Sequence, residues 1–434
     1  MKLLIHDGRV IDPATGRDER ADVAIADGHI AAIGRAADFD AERRIDARGC
    51  IVMPGLVDLA VRLREPGREH EGMLRSELRA AAAGGVTSLV CPPDTDPPLD
   101  EPGLVEMLKF RARRQSSCRL FPLGALTRGL GGDALTEMAH LSEAGCVGFS
   151  QADHPLRDTS LLMRALQYAA TFGYTVWLRP QDAWLSGGVA ASGAVATRLG
   201  LAGVPVAAET VALHTIVELA RATGARVHLC RLSSAAGVEL VRRAKAEGLP
   251  LSADVNVHSL HLTDVDIGYF NADMRLNPPL RQQADRAALR RALADGTIDA
   301  LVSDHSPVAD DAKNLPFAEA EPGASAVELL LSLALKWGRD DGVDLPRTLA
   351  RVTSDPARVL GASLGALGVG RLVEGAVADL CVFDPDATWS VTREVLVSQG
   401  KHTPFDFTVT GTALPGRVRA TVLAGGVSYQ AAAV

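Results

Sequence analysis

Asp304 stands directly before His305, and a carboxylate beside an imidazole can orient and polarise a general base. Such a base needs a nucleophile or an electrophile to act with. The sequence names neither, so the pair also reads as scaffolding. His258 and His261 lie three residues apart, and together with His305 they could hold a relocated metal ion; structural histidines at strand ends are the simpler reading. Ser233 and Ser234 follow Arg231 closely, but no Gly-x-Ser-x-Gly elbow surrounds them. A Walker-type loop and a flanked Gly-x-Gly-x-x-Gly run are both missing from the sequence. The cysteines Cys50, Cys91, Cys118, Cys146, Cys230 and Cys381 are scattered through apolar runs with no Cys-x-x-Cys pair, and read as reduced core thiols.

The elements that must position these groups alternate. Short apolar runs at 56–62, 87–91, 119–124, 147–150, 175–178, 226–230, 251–255 and 298–304 are each mostly followed by a segment of helical period. About eight strands with intervening helices is the grammar of a (β/α)8 barrel, in which chemistry sits where the strands end. Residues 3 to about 52 differ. They read as short strands joined by Asp-Gly turns, and the runs 378–384 and 419–426 repeat that pattern, so the two chain ends are expected to pair into one small β domain. The expected division is 1–54, 55–364 and 365–434, the first and last forming a β-sandwich around the central barrel.

Composition sets the outer bounds. A chain of 434 residues, 47% of them apolar, can bury one large core and a satellite. The formal net charge of -8 argues against nucleic acid or an anionic membrane as the main partner. The start of the chain has no long apolar h-region, and later apolar runs fall short of the ~20 residues that span a bilayer. A cytoplasmic protein is the expectation.

Several segments, in order and spacing, make the chain similar to the dihydroorotase group of the amidohydrolase superfamily over nearly its whole length. They are Arg64-Glu65-Pro66-Gly67, Ala82-Ala83-Gly84-Gly85-Val86-Thr87, Cys91-Pro92-Pro93-Asp94-Thr95-Asp96-Pro97, Gly145-Cys146-Val147-Gly148-Phe149-Ser150, Asn277-Pro278-Pro279-Leu280-Arg281, Ser303-Asp304-His305-Ser306-Pro307 and His402-Thr403-Pro404-Phe405. The resemblance implies a TIM-type metallohydrolase barrel with a small β-sandwich domain. In active relatives it implies one or two zinc ions whose bound hydroxide opens or closes the dihydroorotate ring.

The family's ligand positions carry other residues here. The paired histidines after strand one are Ala60 and Arg62; the bridging carboxylate after strand four is Gln151, with Asp153 one or two positions away; the histidine after strand five is Arg179; and the second histidine after strand six is Arg231, while His228 is kept. A guanidinium stays protonated and offers donors but no lone pair, so it cannot ligate a metal. We therefore expect no resident metal, with zinc as the alternative. We also expect Arg62, Arg179 and Arg231 to pair with Asp58, Asp153, Asp182 or Asp304 and fill the old metal cavity. The family's substrate contacts correspond to Arg64, Asp94 and Asn277; Asp94 replaces an asparagine, would repel a carboxylate substrate, and is expected to pair with Arg64. Asp304 and His305 become vestigial catalytic residues.

Degenerate members of this kind resemble the non-catalytic subunits that assemble with the aspartate transcarbamoylase catalytic subunit in pyrimidine biosynthesis, which implies a homo- or hetero-oligomer. Two other readings stay open. One is an active cyclic-amide hydrolase with an atypical or displaced metal site, using Asp304, Asp153, His228 and His305. The other is a homo-oligomeric scaffold that holds an anion on Arg62, Arg179 and Arg231.

Overall fold

A computed structural model describes residues 2–36, 38–115, 117–364 and 367–432. The chain opens with five strands, β1 (Lys2–Asp12), β2 (Arg17–Ala26), β3 (His29–Gly34), β4 (Arg43–Asp46) and β5 (Ile51–Pro54). Asp27 and Gly28 both adopt positive φ between β2 and β3, as the Asp-Gly hairpin signal requires.

The barrel strands follow. They are β6 (Leu56–Asp58), β7 (Val86–Cys91), β8 (Arg119–Pro122) continued by β9 (Gly124–Ala125), β10 (Phe149–Ser150) and β11 (Thr175–Leu178). A small side pair, β12 (Ala190–Ala191) and β13 (Gly203–Val204), interrupts the series before β14 (Arg226–Leu229), β15 (Leu251–Asn256) and β16 (Ala300–Val302). Neighbouring barrel strands run parallel. The ring closes where Val61 bridges His305, with the Arg62 amide donating to the His305 carbonyl at 2.8 Å. Counting β8 and β9 as one, eight strands close the barrel, at the eight apolar runs expected from the sequence, with β6, β10, β14 and β16 shorter than their runs.

The chain end supplies β17 (Leu380–Trp389), β18 (Leu414–Leu423) and β19 (Gly426–Gln430). These join the first five strands in one sheet of order β19-β18-β17-β5-β1-β2-β3, with β4 on the side of β1. The two ends of the chain meet where β5 pairs antiparallel with β17. The inward residues of this sheet, among them Leu3, Ile5, Val23, Val52, Leu380 and Val422, form a core of their own. The expected boundary at 364/365 falls against residues 365 and 366, which lie outside the described residues.

Helices fill the outside of the barrel. The first, α1 (Leu74–Ala83), buries Leu74, Leu78, Ala81 and Ala82 on one face, the period an amphipathic helix needs. It ends at Gly84 and Gly85. Gly85 has φ +83°, and a Cβ there would lie 2.6 Å from Cys381 Sγ, so its missing side chain lets the barrel dock on β17. The next two are α2 (Pro102–Arg113) and α3 (Met138–Ala144). None of the helices among the described residues is long and apolar enough to cross a membrane.

Candidate functional site: a charge cluster at the barrel mouth

Chain reversal at the strand ends is sharp. Arg64, Ala152, Arg231 and Asp304, which follow β6, β10, β14 and β16, all take left-handed backbone at φ 63°, 48°, 56° and 51°. Non-glycine residues seldom adopt this conformation, and such strain gathers at functional sites. Here it turns the side chains of 231 and 304 inward over the barrel axis.

Three guanidinium groups converge there. Arg62 donates from Nε to Asp94 at 2.8 Å, from one terminal nitrogen to Asp153 at 3.0 Å and from the other to Ser306 Oγ at 3.1 Å; that second nitrogen also sits 3.6 Å from Asp304. Arg179 donates to Asp153 Oδ1 at 3.0 Å and to Asn277 Oδ1 at 2.7 Å. Arg231 bonds Asp153, and donates to Asp304 Oδ1 at 3.1 Å and to the Asn277 carbonyl at 3.3 Å. Asn256 donates to the remaining Asp304 oxygen at 2.9 Å. Three cations thus face three carboxylates, Asp94, Asp153 and Asp304, in a nearly sealed space.

Asp153 is the hub. Burial alone would raise its pKa, but the fields of Arg231, Arg62 and Arg179 outweigh burial and hold the carboxyl well below the usual range. The cluster carries no excess positive charge. An external anion would have to displace a carboxylate from every arginine, so the anion-scaffold expectation finds no open donor set here.

Several expected pairings are different. Asp58 meets no arginine; its Oδ1 accepts from the Ser303 and Ala60 amides, both at 3.2 Å, and burial pushes its carboxyl up to about 7. Asp182 accepts from the Trp184 and Leu185 amides at 2.9 Å and so caps its own loop. Asp94 pairs with Arg62 rather than Arg64, because Arg64 turns away to the Pro307 carbonyl and to Glu71, both at 2.9 Å. Asn277 contacts guanidinium groups where the family pattern assigns a substrate contact. Gln151 points out of the cluster, accepting from Thr127 at 3.0 Å and donating to the Leu130 carbonyl at 2.8 Å. Ala60 offers only a methyl group at its position.

The histidines do not assemble. His305 directs Nε2 to buried Glu77 at 2.8 Å, and its Nδ1 accepts from the Ala326 amide at 3.1 Å, so it faces away from Asp304 and locks α1 to the strand end. His258 stacks on Phe405 at 5.7 Å, and burial lowers it to about 3. His261 donates to the Leu333 carbonyl at 3.0 Å. Ser233 and Ser234 are both clamped by the Glu209 carboxylate. Sequence reasoning missed Glu71, Glu77, Asn256 and Glu209. Only Asn256 carried a signal, as the N-cap of the short helix Val257–His261, where its Oδ1 accepts from Ser259.

A metal centre of the family's kind does not fit these residues. The ligand positions present guanidinium donors, and the lone pairs of Asp153 and Asp304 are covered by those donors. Among the described residues, His228, Cys230 and Asp254 approach closely enough to suggest a displaced site. Both His228 nitrogens are taken, by Asp254 and Ser252 at 2.8 Å each, and the other Asp254 oxygen accepts from the Arg231 amide at 2.7 Å. Burial raises the Cys230 thiol well above its usual value. That trio is a closed hydrogen-bond chain inside the barrel. The space left beside the cluster, bounded by Asp153, Arg179 and Trp184, is about 120 Å³, well under the ~300 Å³ at which small-molecule pockets begin.

Comparison with known proteins agrees with this architecture. Residues 49–236 match the family described as Dihydro-orotase-like, and residues 163–427 match the Amidohydrolase family. The chain is 46% identical over 432 residues to a dihydroorotase-like protein of Pseudomonas aeruginosa, covering 99% of this chain and 100% of that one. It is 40% identical over 433 residues to a dihydroorotase of Geobacter sp., again covering 99% and 100%. Among solved structures it is similar to the L-hydantoinase of Arthrobacter aurescens, with a TM-score of 0.86 and 25% identity, covering 98% of this chain and 95% of that one.

Proposed function

This chain belongs to the dihydroorotase-like family of amidohydrolases, and from that premise we propose that it is a catalytically silent member acting as a structural subunit. It keeps the barrel and the strained strand ends and fills the metal cavity with a neutral charge cluster. Its role in this reading is to support assembly of the aspartate transcarbamoylase catalytic subunit in pyrimidine biosynthesis. The observation that carries the silent reading is Asp153, which accepts from three arginines, Arg62, Arg179 and Arg231, all at family histidine positions. The partner follows from the family resemblance.

A second reading, an active cyclic-amide hydrolase with a displaced metal, draws support from the relatives at about 40% identity that carry the name dihydroorotase. One experiment separates the two. Metal per chain is measured as purified and after incubation with excess zinc and desalting, followed by a dihydroorotate hydrolysis assay and co-purification with co-expressed transcarbamoylase catalytic chains. Near-zero metal, no turnover and a stable complex are expected. One tightly held ion per chain with turnover would overturn the silent reading, and failure to co-purify would overturn the partner.

A further inference from the structure

Ser252 and Asp254 stand two apart on β15, so their side chains share one face, and the parallel register sets Ser252 beside His228 of β14. The three make one hydrogen-bonded chain. Ser252 Oγ lies 2.8 Å from His228 Nδ1, and His228 Nε2 lies 2.8 Å from Asp254 Oδ2. Asp254 is fixed in turn, because its other oxygen accepts from the Arg231 amide at 2.7 Å. An ionised Asp254 offers only acceptors, so His228 carries its proton on Nε2 and turns the Nδ1 lone pair to the serine hydroxyl, which donates to it. Trp177 packs on the imidazole with ring centroids 4.3 Å apart and holds its orientation.

A chain of this kind at the lower end of a barrel is commonly a satisfied core network. Its outer end sets this one apart. His228 and Asp254 are fully buried, whereas Ser252 is the one residue of β15 left partly exposed. It lines a cleft of about 270 Å³ at the N-terminal ends of β11, β14 and β15. That volume is close to the lower end of the ~300–1,000 Å³ of small-molecule sites and suits an acyl group of a few carbons. Leu249, Pro250 and Val359 give the cleft apolar contact, and Thr175 and Arg226 bring donors to it. Arg226 gives one nitrogen to the Gly173 carbonyl and keeps others for a developing oxyanion. The carboxylates of the described lining are both matched: Asp299 binds Lys245 and the Ala253 amide, and Asp355 binds Arg351 and Arg358. The ligand that fits is therefore neutral.

We propose that Ser252, His228 and Asp254 act as a nucleophilic triad that takes the acyl group of a small neutral ester. His228 Nδ1 accepts the hydroxyl proton as Ser252 Oγ bonds the carbonyl carbon, and passes it to the departing oxygen as the ester C–O bond breaks, leaving an acyl-serine and an alcohol. Water then attacks the acyl carbon and gives a proton to His228, which returns it to Ser252 Oγ as the acyl bond breaks and a carboxylic acid leaves. Asp254 touches no substrate and is a positioning residue. The triad lies at the far end of the strands from the arginine cluster and uses no metal, so it stands or falls independently of the silent reading of the metal cavity.

The test incubates the full chain, held in excess EDTA, with p-nitrophenyl acetate, and reads nitrophenol release, intact mass after acid quenching and the modified peptide. Hydrolysis above the protein-free rate and a single acetyl group on Ser252 are expected. Ser252→Ala should abolish that acetylation and cut the rate about 100-fold with the thermal midpoint unchanged. Asp254→Asn should lower the rate and displace the acid limb of the pH–rate profile, which a merely structural role would leave in place. Acetylation confined to other residues, or an undiminished rate in Ser252→Ala, would overturn the proposal and return the chain to a core network. Neither dihydroorotate turnover nor bound metal enters this assay, so its failure is distinct from failure of the silent reading.

Discussion

Asp153 sits among three guanidinium groups, so removing its charge leaves buried cations without a counter-ion. Breaking a buried pair on one side costs about 3–5 kcal/mol. Asp153 keeps a quarter of its side-chain surface exposed, which places Asp153→Asn toward the lower end, about 3 kcal/mol by urea unfolding. The pH response has two opposing parts. The Asp153 pKa is depressed in the folded state, so its contribution is present above the unfolded value near 4 and is lost as pH falls below it. Asp58 and Glu328 have folded values raised by burial to about 7, so their contribution is complete below about 4 and is lost as pH rises toward 7. Stability should therefore fall between about pH 4 and 7, by at most about 1.4 kcal/mol per pH unit per group, and level off above that, and Asp58→Asn should remove part of that fall. That Arg62, Arg179 and Arg231 cannot ligate a metal was legible because a guanidinium offers no lone pair in any environment. The partners were only partly legible: Arg62 and Arg64 both lie within reach of Asp94 along the strand, and it is the left-handed backbone at Arg64 that turns the second one away to Glu71.

Elements bring these residues together through close backbone approaches. The turn after β6 meets the loop after β7 where the Asp96 amide donates to the Pro66 carbonyl at 3.1 Å. Gly67, at φ +99°, lies against it, and a Cβ there would stand 2.2 Å from the Asp96 carbonyl oxygen. Gly67→Ala therefore needs both a strained φ and a displaced backbone, and should cost more than about 2 kcal/mol, with Asp94 drawn off Arg62. Chemical denaturation measures the cost, and a structure of the variant shows the shift. Strand positions were legible because parallel barrel strands are continuous apolar runs. Their ends were not: β6 ends at Asp58 although the apolar run continues to 62, and β10 keeps only Phe149 and Ser150 of 147–150. The helix closing at Gly84-Gly85 was legible for the opposite reason, as glycine marks both the helix stop and the close contact with β17.

At the scale of the whole molecule, the pairing of the two chain ends was legible from alternating runs at both ends and the Asp27-Gly28 turn, whereas Asp7-Gly8 forms a bulge inside β1 rather than a turn. The closed barrel mouth carries the last prediction. Anything that binds only the folded state stabilises it by linkage, about 2.7 kcal/mol when present at a hundred times its dissociation constant. Zinc and dihydroorotate would need the lone pairs and donors that the cluster has already matched to one another, so each should move the thermal midpoint by less than about 1 °C at millimolar concentration. The combined variant Ala60→His, Arg62→His, Gln151→Asp, Arg179→His and Arg231→His removes the three cations and returns lone pairs to the mouth while Asp153 and Asp304 remain. Zinc should raise its midpoint by several degrees, and a matching rise in the unaltered chain would mean that a metal site exists outside the arginine cluster.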